Sequence, residues 1–334
     1  MDEAHASLER ARQCLRAADY DGAERLLRAA IEHEAALAAA YELLGKLLYR
    51  DGRAQEAAAV YRAWLQVIPS DPVAAHLCAA TGGAPAPERA SEGFIASVFG
   101  RAAPEYDTAL SKLGYRAPQL LFERATEAFG SPAPPSGRPG PPSSRSAAFD
   151  VLDLGCGTGL CAEWFRPLAK RLVGVDLCLG MLEEARKRGC YDELVCEELA
   201  AYVRRCPDRF DLVIAADVFC YFGELESVFA AVRRLLRPDA WFIFSVEELD
   251  GWQAAHSGGT DAVRLMLLEH GRYAHGGAYV ESTLRSAGFV VAGVHRDMLR
   301  FERGAPVQGL ITVARSAIEG RPPNAFGAPG DGIA

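Results

Sequence analysis

The sequence predicts an α/β protein in which a doubly wound, mostly parallel sheet of seven strands follows an all-helical N-terminal segment. Strand-like apolar runs alternate with helix-like segments from residue 149 onward. The last two strand-like runs leave no room for a crossover helix between them, so they should pair as an antiparallel hairpin. Residues 1–80 show helical periodicity throughout.

Composition narrows the class of protein. Half of the 334 residues are apolar, which is enough for a sizeable core, and the net charge of −8 argues against a nucleic-acid partner. No apolar run approaches the roughly 18 residues of a membrane span, and the N-terminus shows no signal-peptide pattern. Nine cysteines without a CxxC pair predict reduced thiols, no metal site and a cytoplasmic location.

Residues 1–80 carry a helical repeat pattern. The clearest copy comprises Tyr41, Leu44, Gly45, Leu48, Ala57, Tyr61, Trp64 and Pro69. A shift of about 34 residues toward the N-terminus finds Ser7, Ala11, Cys14, Ala23, Leu27 and Ala30. The segment resembles two tetratricopeptide repeats followed by a capping helix. Such arrays bind peptides or partner proteins, but a short array can equally pack on the rest of the chain or form a dimer contact, and the sequence leaves both open.

Gly- and Pro-rich stretches set the predicted boundaries. Residues 81–91 read as a linker, and residues 92–316 as one α/β domain. Within that domain, residues 94–100 and 106–129 are helical, and the Pro-rich residues 130–148 form a disordered loop. The tail, residues 317–334, is also predicted to be unstructured.

The stretch FDVLDLGCGTGL, residues 149–160, predicts a ligand-binding βαβ unit. A buried strand runs into Gly155, Gly157 and Gly159, where a ligand can approach bare main chain at a helix N-terminus. The next apolar run ends in Asp176, and an acid at that strand tip can accept hydrogen bonds from both hydroxyls of a ribose. The unit is therefore interpreted as nucleoside-binding.

The remaining elements follow in alternation. The predicted helices are residues 179–188, 199–205, 225–236 and 279–287, and the predicted strands are residues 193–196, 210–216, 241–246, 289–294 and 307–313. The last two strands are joined by a short polar segment.

These motifs resemble a known family. DLGCGTG followed by GVD, then AADVFCYF and LLRP, is similar to class I S-adenosylmethionine-dependent methyltransferases. The segments FGRAAPEYDTALSKLGYRAPQLL, YFGEL, GRYAH and LRFERGAPVQGLITVAR resemble bacterial methyltransferases with an N-terminal tetratricopeptide segment. The resemblance implies S-adenosylmethionine as the methyl donor. The GxGxG spacing differs from the GxGxxG of dinucleotide-binding dehydrogenases, so an oxidoreductase is the weaker interpretation.

The resemblance also implies a set of donor-binding residues. They are Tyr106, Arg101, Asp153, Leu154, Gly155, Cys156, Gly157, Gly159, Asp176, Leu177, Met181, Glu198, Leu199, Asp217 and Val218. At the end of the third strand, VCEEL offers Glu197 and Glu198 as the acid that would accept from the adenine amino group, and the position just before Leu199 favours Glu198. An acid that only stabilises a helix N-terminus fits the same position. Tyr106 as an ordinary helix-packing residue also stays open.

The acceptor side is assigned to residues 247–278, which are rich in polar and aromatic groups. Within this stretch, GRYAHGG is expected to form a loop near the sheet edge. His275 is the candidate general base because histidine titrates near neutral pH, and Tyr221 should border the methyl group. Arg272, Tyr273 and Glu247 are the candidate substrate contacts. The predicted activity is methylation of an N, O or S atom of a small molecule. The alternatives are methylation of a protein recruited by the helical repeats, and a non-catalytic adaptor.

Overall fold

The computed structural model describes residues 3–130, 148–249, 263–302 and 304–317, without the side chains of residues 101 and 102. The predicted loop 130–148 and tail 317–334 lie outside these residues except at their edges. Two compact units are present. The first contains the residues up to Val98 together with Met266–Tyr273, and the second contains Phe99–Leu265 and the residues from Ala274 onward.

The first unit contains helices built from alanine, leucine and charged residues. Two of them begin with aspartate caps, since the Asp19 carboxylate accepts from Gly22 N at 3.0 Å and that of Asp71 accepts from Val73 N at 2.9 Å. At Gly45 an added Cβ would lie 2.4 Å from the Tyr61 ring, so this helix pair packs backbone against ring. The helices are α1 (Glu3–Arg16), α2 (Tyr20–His33), α3 (Ala38–Arg50), α4 (Ala54–Val67) and α5 (Pro72–Ala80).

A segment from far along the sequence, Met266–Tyr273, belongs to the same unit. Its turn includes Gly271 at φ +89°, whose carbonyl oxygen lies 2.8 Å from His76 Nε2. The Tyr273 hydroxyl donates to the carbonyl oxygen of Pro87. Because His76 belongs to residues 1–80, their removal would take away the partner of the Gly271 carbonyl oxygen, while Pro87, the partner of Tyr273, would remain.

Three helices precede the sheet: α6 (Glu92–Ala102), α7 (Tyr106–Lys112) and α8 (Ala117–Ala128). The sequence predicted a single helix over residues 106–129. The structure divides it because Gly114 adopts φ +62°, a left-handed conformation that ends a helix, and Pro118 stands in the first turn of the next one.

The sheet combines parallel strands with an antiparallel hairpin, as predicted. The strands are β1 (Phe149–Leu154), β2 (Ala169–Asp176), β3 (Glu193–Cys196), β4 (Phe210–Ala215), β5 (Leu236–Glu248), β6 (Leu265–Leu267), β7 (Tyr273–His275), β8 (Phe289–Glu302) and β9 (Ala305–Ser316). Five of them are parallel in the order β3-β2-β1-β4-β5, with β9 antiparallel to β5 and β8 antiparallel to β9. The accompanying helices are α9 (Leu160–Phe165), α10 (Leu179–Arg188), α11 (Leu199–Arg205), α12 (Glu226–Leu235) and α13 (Gly277–Ser286).

Two regions of the sheet differ from the sequence prediction. The described residues form nine strands rather than seven, because two three-residue strands, β6 and β7, occupy the stretch that the sequence assigns to the acceptor side. The polar segment expected between the last two strands is itself strand: β8 continues to Glu302 and β9 begins at Ala305. Backbone pairing along the whole hairpin outweighs the polarity of these side chains.

Side chains from successive strand positions point to opposite faces of the sheet. Leu152, Val213 and Phe242 belong to the apolar cluster on one face, while Val151 and Ile243 belong to the cluster on the other. Burial on both faces is typical of parallel sheets. The carboxyl ends of β1, β2, β4 and β5 consequently meet at one edge, which is where ligands bind in such folds.

Candidate functional site

A glycine turn joins β1 to α9. Gly155, Gly157 and Gly159 have φ values of +66°, +53° and +89°, which are unfavourable for residues with a Cβ. A Cβ on Gly155 would lie 2.4 Å from Val218 Cγ2, whereas one on Gly157 would meet no described atom within 4 Å. Gly155 therefore permits close packing, and Gly157 leaves its backbone open to a ligand. Leu154 and Cys156, which flank Gly155, are buried.

Asp176 ends β2 beside this turn. Its Oδ2 accepts from Gly157 N at 2.9 Å and its Oδ1 accepts from Cys178 N at 2.8 Å. Burial raises the pKa of Asp176, and the backbone N–H groups of Cys178 and Gly157 oppose that rise. Each carboxylate oxygen keeps a further lone pair, so the group can still accept from two ribose hydroxyls.

Asp153, near the end of β1, is 1% exposed and accepts a hydrogen bond from the Tyr191 hydroxyl at 2.6 Å. Burial raises the pKa of Asp153 to about 7; the Tyr191 hydrogen bond lowers it and the nearby Asp176 raises it. Sequence reasoning found Asp153 but missed Tyr191, which lies beyond the βαβ motif.

Aromatic side chains gather next to the turn. Tyr106, the first residue of α7, meets Phe99 edge-on with ring centroids 5.8 Å apart, and Phe99 meets Tyr221 at 5.5 Å. Burial raises the pKa of Tyr106 and the charge of Asp217 adds to the rise. The structure thus brings the predicted Tyr106 and Tyr221 together through Phe99. The side chain of Arg101 lies outside the described residues.

A polar network ties α7 to the glycine turn. Thr158 Oγ1 donates to Asp107 Oδ1 at 2.5 Å, and Arg188 donates to Asp107 and, through Nε, to the Thr158 carbonyl oxygen at 2.6 Å. Arg188 also pairs with Glu163. Because these contacts join α7, the turn and α10, they hold Tyr106 close to the Gly155–Gly159 backbone.

The predicted adenine-side residues are partly rearranged. Met181 is 2% exposed and packs among Ala103 and Cys178. Leu177 is half-buried and Leu199 is buried, which suits apolar walls. Glu198 caps α11: its oxygens accept from Ala200 N at 2.9 Å and Ala201 N at 2.8 Å. The helix-terminus role of Glu198 is thus present in the structure, and the adenine contact stays a prediction, since each carboxylate oxygen keeps a further lone pair.

Asp217, which follows β4, adopts φ +54°. Its N–H donates to Ser245 Oγ at 2.8 Å, and the Ser245 hydroxyl in turn donates to Asp217 Oδ1 at 2.9 Å. Arg300 Nη1 donates to Asp217 Oδ2 at 2.6 Å. Val218, the next residue, is the one that packs over Gly155. This turn therefore connects the strand edge with the glycine turn.

Arg300 is the main residue that sequence reasoning missed. It is 4% exposed on β8 and also donates to Glu247 and, at 2.8 Å, to Glu302 Oε1. Burial disfavours its charge, but Asp217, Glu247 and Glu302 outweigh burial and raise the pKa of Arg300. Glu247, expected to contact a substrate, is 2% exposed and faces Arg300 instead. The signal in the sequence was an arginine inside the apolar run MLRF, since a charge there needs buried partners.

His275 lies in β7 rather than in the expected loop. Its imidazole is fully buried, and Nε2 lies 2.9 Å from the Gly223 carbonyl oxygen. Among the described residues Nδ1 has no hydrogen-bond partner. Burial lowers the pKa of His275 to about 4, which makes the imidazole a weak base. This position does not fit the general base that the sequence predicted.

Arg272 and Tyr273 belong to the first unit, whereas the donor-site residues described above belong to the second. Tyr273 is fully buried and its hydroxyl donates to Pro87, so burial raises the pKa of Tyr273 to about 12. Its hydroxyl is therefore already engaged by the helical unit.

The described ranges contain no group of three or more His, Cys, Asp or Glu side chains that could hold a metal ion. In the same ranges, no helix combines the length and the apolar character that crossing a bilayer requires.

Strand order, glycine turn and acidic strand tip fit the nucleoside-binding unit that the sequence predicts. A family described as a methyltransferase domain matches residues 152–244. The chain is 27% identical over 154 residues to malonyl-[acyl-carrier protein] O-methyltransferase of Yersinia pestis, covering 45% of this chain and 49% of that protein. It is 41% identical over 97 residues to methyltransferase-like protein 27 of Homo sapiens, covering 29% and 34%. The alignments thus span about half or less of these relatives.

One solved structure similar to this chain is magnesium protoporphyrin IX methyltransferase from Synechocystis PCC 6803 with bound SAH. The TM-score is 0.49 at 15% identity, over 68% of this chain and all of that one. The family match supports a methyltransferase domain over residues 152–244.

Proposed function

We propose that the protein transfers the methyl group of S-adenosylmethionine to an N, O or S atom of a small-molecule acceptor. The observation that carries this proposal is the convergence of the Gly155–Gly159 turn, Asp176 and the Asp217–Val218 turn at one edge of the sheet. The relative from Yersinia pestis, which is named as an O-methyltransferase, supports the reaction type.

The residues divide the task of holding the donor. Asp176 accepts from the ribose hydroxyls, the backbone of the glycine turn lies against the amino-acid end, and Leu177 and Leu199 cover the adenine. The bound donor supplies a methyl group on a positively charged sulfur. The acceptor lone pair would form the new bond to that carbon as the C–S bond breaks, which would leave a neutral thioether, and an acceptor atom that carries a proton would release it to solvent. Since the leaving group is already good, the chain acts mainly by placing the reactants in line in a closed site.

The proposal does not use His275 as a base. Its imidazole lies against the Gly223 carbonyl oxygen with no exposed surface, so we assign it to the support of β7. Tyr221 remains the residue proposed to border the methyl group, held there by its contact with Phe99.

We further propose that helices α1–α5 are two tetratricopeptide repeats with a cap, as in the bacterial methyltransferases that carry such a segment. Support comes from Ala11, Ala23 and Ala30, which are fully buried where small residues were expected, and from the close approach of Gly45 to Tyr61. The free cysteines support a reducing compartment, the cytoplasm.

The first test is calorimetry of S-adenosylmethionine binding to the full-length protein and to Asp176→Ala. We expect binding by the wild type and loss of at least about 100-fold in affinity in the variant, because two hydrogen bonds to a buried charged group disappear. Asp192→Ala is the matched control. Asp192 also accepts a backbone N–H, that of Leu172 at 2.7 Å, but near the amino end of β2.

The second test incubates the protein with labelled donor and a small-molecule extract. A labelled product that depends on Asp176 supports the proposed activity. Absence of donor binding by the wild type would overturn the proposal, and labelling confined to proteins would replace the small-molecule acceptor with a protein.

A further inference from the structure

We propose that Arg300 is a positioning residue: it holds the Asp217 carboxylate at the carboxyl end of β4 and so lets the site distinguish the positively charged donor from its uncharged product, S-adenosylhomocysteine. The inference rests on the proposed function. It assigns a role to a side chain on the terminal hairpin, outside the glycine turn and the acidic strand tip.

The first argument is the conformation of Asp217. A left-handed backbone is disfavoured for a residue with a Cβ, so φ +54° persists only where the surroundings impose it. Ser245 on β5 binds both the N–H and Oδ1 of Asp217, and Arg300 on β8 binds Oδ2. Two strands other than its own therefore fix both the backbone and the carboxylate.

The second argument is the geometry of the guanidinium. Nη1 of Arg300 serves Asp217, Nη2 serves Glu247 and Nε serves Glu302. A planar fork can hold three carboxylates in set directions, whereas a lysine ammonium is a single point charge. Because the Arg300 side chain is only 5% exposed, the fork has little freedom to turn away.

The third argument is that the cluster places a carboxylate at the edge of the sheet. Among the described side chains, the Arg300 guanidinium faces the carboxylates of Asp217, Glu247 and Glu302, which are 16%, 3% and 27% exposed. Of these three, Asp217 is the one at the carboxyl end of β4, and its negative charge favours a positive group there, provided that Asp217 stays in place.

The fourth argument is proximity to the donor turn. Val218 follows Asp217 directly, and its Cγ2 lies 2.4 Å from where a Cβ on Gly155 would be. The charges of both Asp217 and Asp176 act on the pKa of Tyr106. The donor and its product differ only by one methyl group and one positive charge, so displacement of Asp217 should alter their relative affinities.

The experiment measures the affinities of S-adenosylmethionine and S-adenosylhomocysteine by calorimetry in the full-length protein, Arg300→Lys, Ser245→Ala and Arg237→Lys. The quantity of interest is the affinity ratio of donor to product. We expect this ratio to fall about tenfold in Arg300→Lys and about threefold in Ser245→Ala, since charged hydrogen bonds contribute more than neutral ones.

Arg237→Lys is the matched control and should leave the ratio unchanged. Arg237 also bridges acids on neighbouring strands, Asp150 and Asp211, but at the amino ends. A purely structural role of Arg300 would weaken both ligands equally, so an unchanged ratio in folded Arg300→Lys and Ser245→Ala overturns the inference. If thermal melting shows that Arg300→Lys is unfolded, Ser245→Ala decides alone. Failure of the wild type to bind either ligand would instead overturn the proposed function.

Discussion

Each end of the parallel sheet has an arginine that faces at least two carboxylates, but the two arginines differ in their exposure to water. At the amino ends, Arg237 bridges Asp150 at 2.7 Å and Asp211 at 2.6 Å, and its side chain is 41% exposed. At the carboxyl ends, Arg300 is 5% exposed and faces three carboxylates. Water can therefore screen the charges at the amino ends, whereas at the carboxyl ends the charge of Arg300 is balanced mainly by carboxylates of the protein.

Burial, more than backbone conformation, separates the two ends. Asp239, near the beginning of β5, also has a positive φ of +64°, but it pairs with Arg315 at a partly exposed site. At the carboxyl ends, burial raises the pKa of both Asp153 and Asp176. Buried carboxyl groups, which lower stability, are thus concentrated where the donor is proposed to bind. Functional sites commonly contain such destabilising features.

The largest difference between the ends should appear at the glycine turn. Gly155→Ala places a Cβ against Val218 in a left-handed backbone, so we expect a loss of roughly 2–4 kcal/mol in unfolding free energy and at least about tenfold in donor affinity. Gly189→Ala is the control, because Gly189 has φ +64° but open space around its Cβ position. It should lose about 1–2 kcal/mol from backbone strain alone and keep donor affinity. Urea denaturation and calorimetry measure both, and equal donor binding by the two variants would contradict the assignment.

The next effect concerns pH. Since the folded pKa of Asp153 is about 7, above its ordinary value of 3.8, the folded state binds the proton more tightly. This contribution favours folding at low pH and is lost as pH rises from about 4 to about 7. In Asp153→Asn it is absent, so between pH 5 and pH 8 the wild type should lose roughly 1–3 kcal/mol relative to the variant. Denaturation curves give the unfolding free energies. If the difference between the wild type and Asp153→Asn is the same at pH 5 and pH 8, the prediction is wrong.

A smaller effect is expected at the network that ties α7 to the glycine turn. Asp107→Asn weakens the contacts to Thr158 and Arg188, and because Asp107 is 42% exposed, donor affinity should fall only about threefold. Glu163→Gln removes another partner of Arg188 that does not touch Thr158, so it should leave donor affinity unchanged. Calorimetry measures the donor affinity of both variants. A larger loss in Glu163→Gln than in Asp107→Asn would mean that Glu163 on α9, rather than Asp107 on α7, positions the glycine turn.

The smallest effect should come from the amino ends. Arg237→Lys keeps the charge in an exposed bridge, so unfolding free energy should change by less than about 1 kcal/mol. Thermal melting measures it. A larger loss would mean that water screens the ion pairs of Arg237 less than the exposure of Arg237 indicates.

Local sequence was sufficient for many of the elements, but not for β6 and β7, the break between α7 and α8, or the full length of β8 and β9. Periodicity predicted β3, α10 and α11 with the bounds that the structure has. Asp176 meets the N–H of Gly157, 19 residues away, because a βαβ unit brings adjacent strand tips together. The cofactor roles of these residues stay predictions, but their proximity follows from connectivity.

Tertiary structure decided what the other candidate residues do. Arg300 reaches Asp217 across 83 residues through the register of the terminal hairpin, and no local pattern encodes that register. Glu247 and His275 looked like reactive groups in the sequence, yet packing buries both, one against Arg300 and one against Gly223. Periodicity tells which residues prefer the interior; which polar groups meet there, and with what charge balance, depends on long-range pairing.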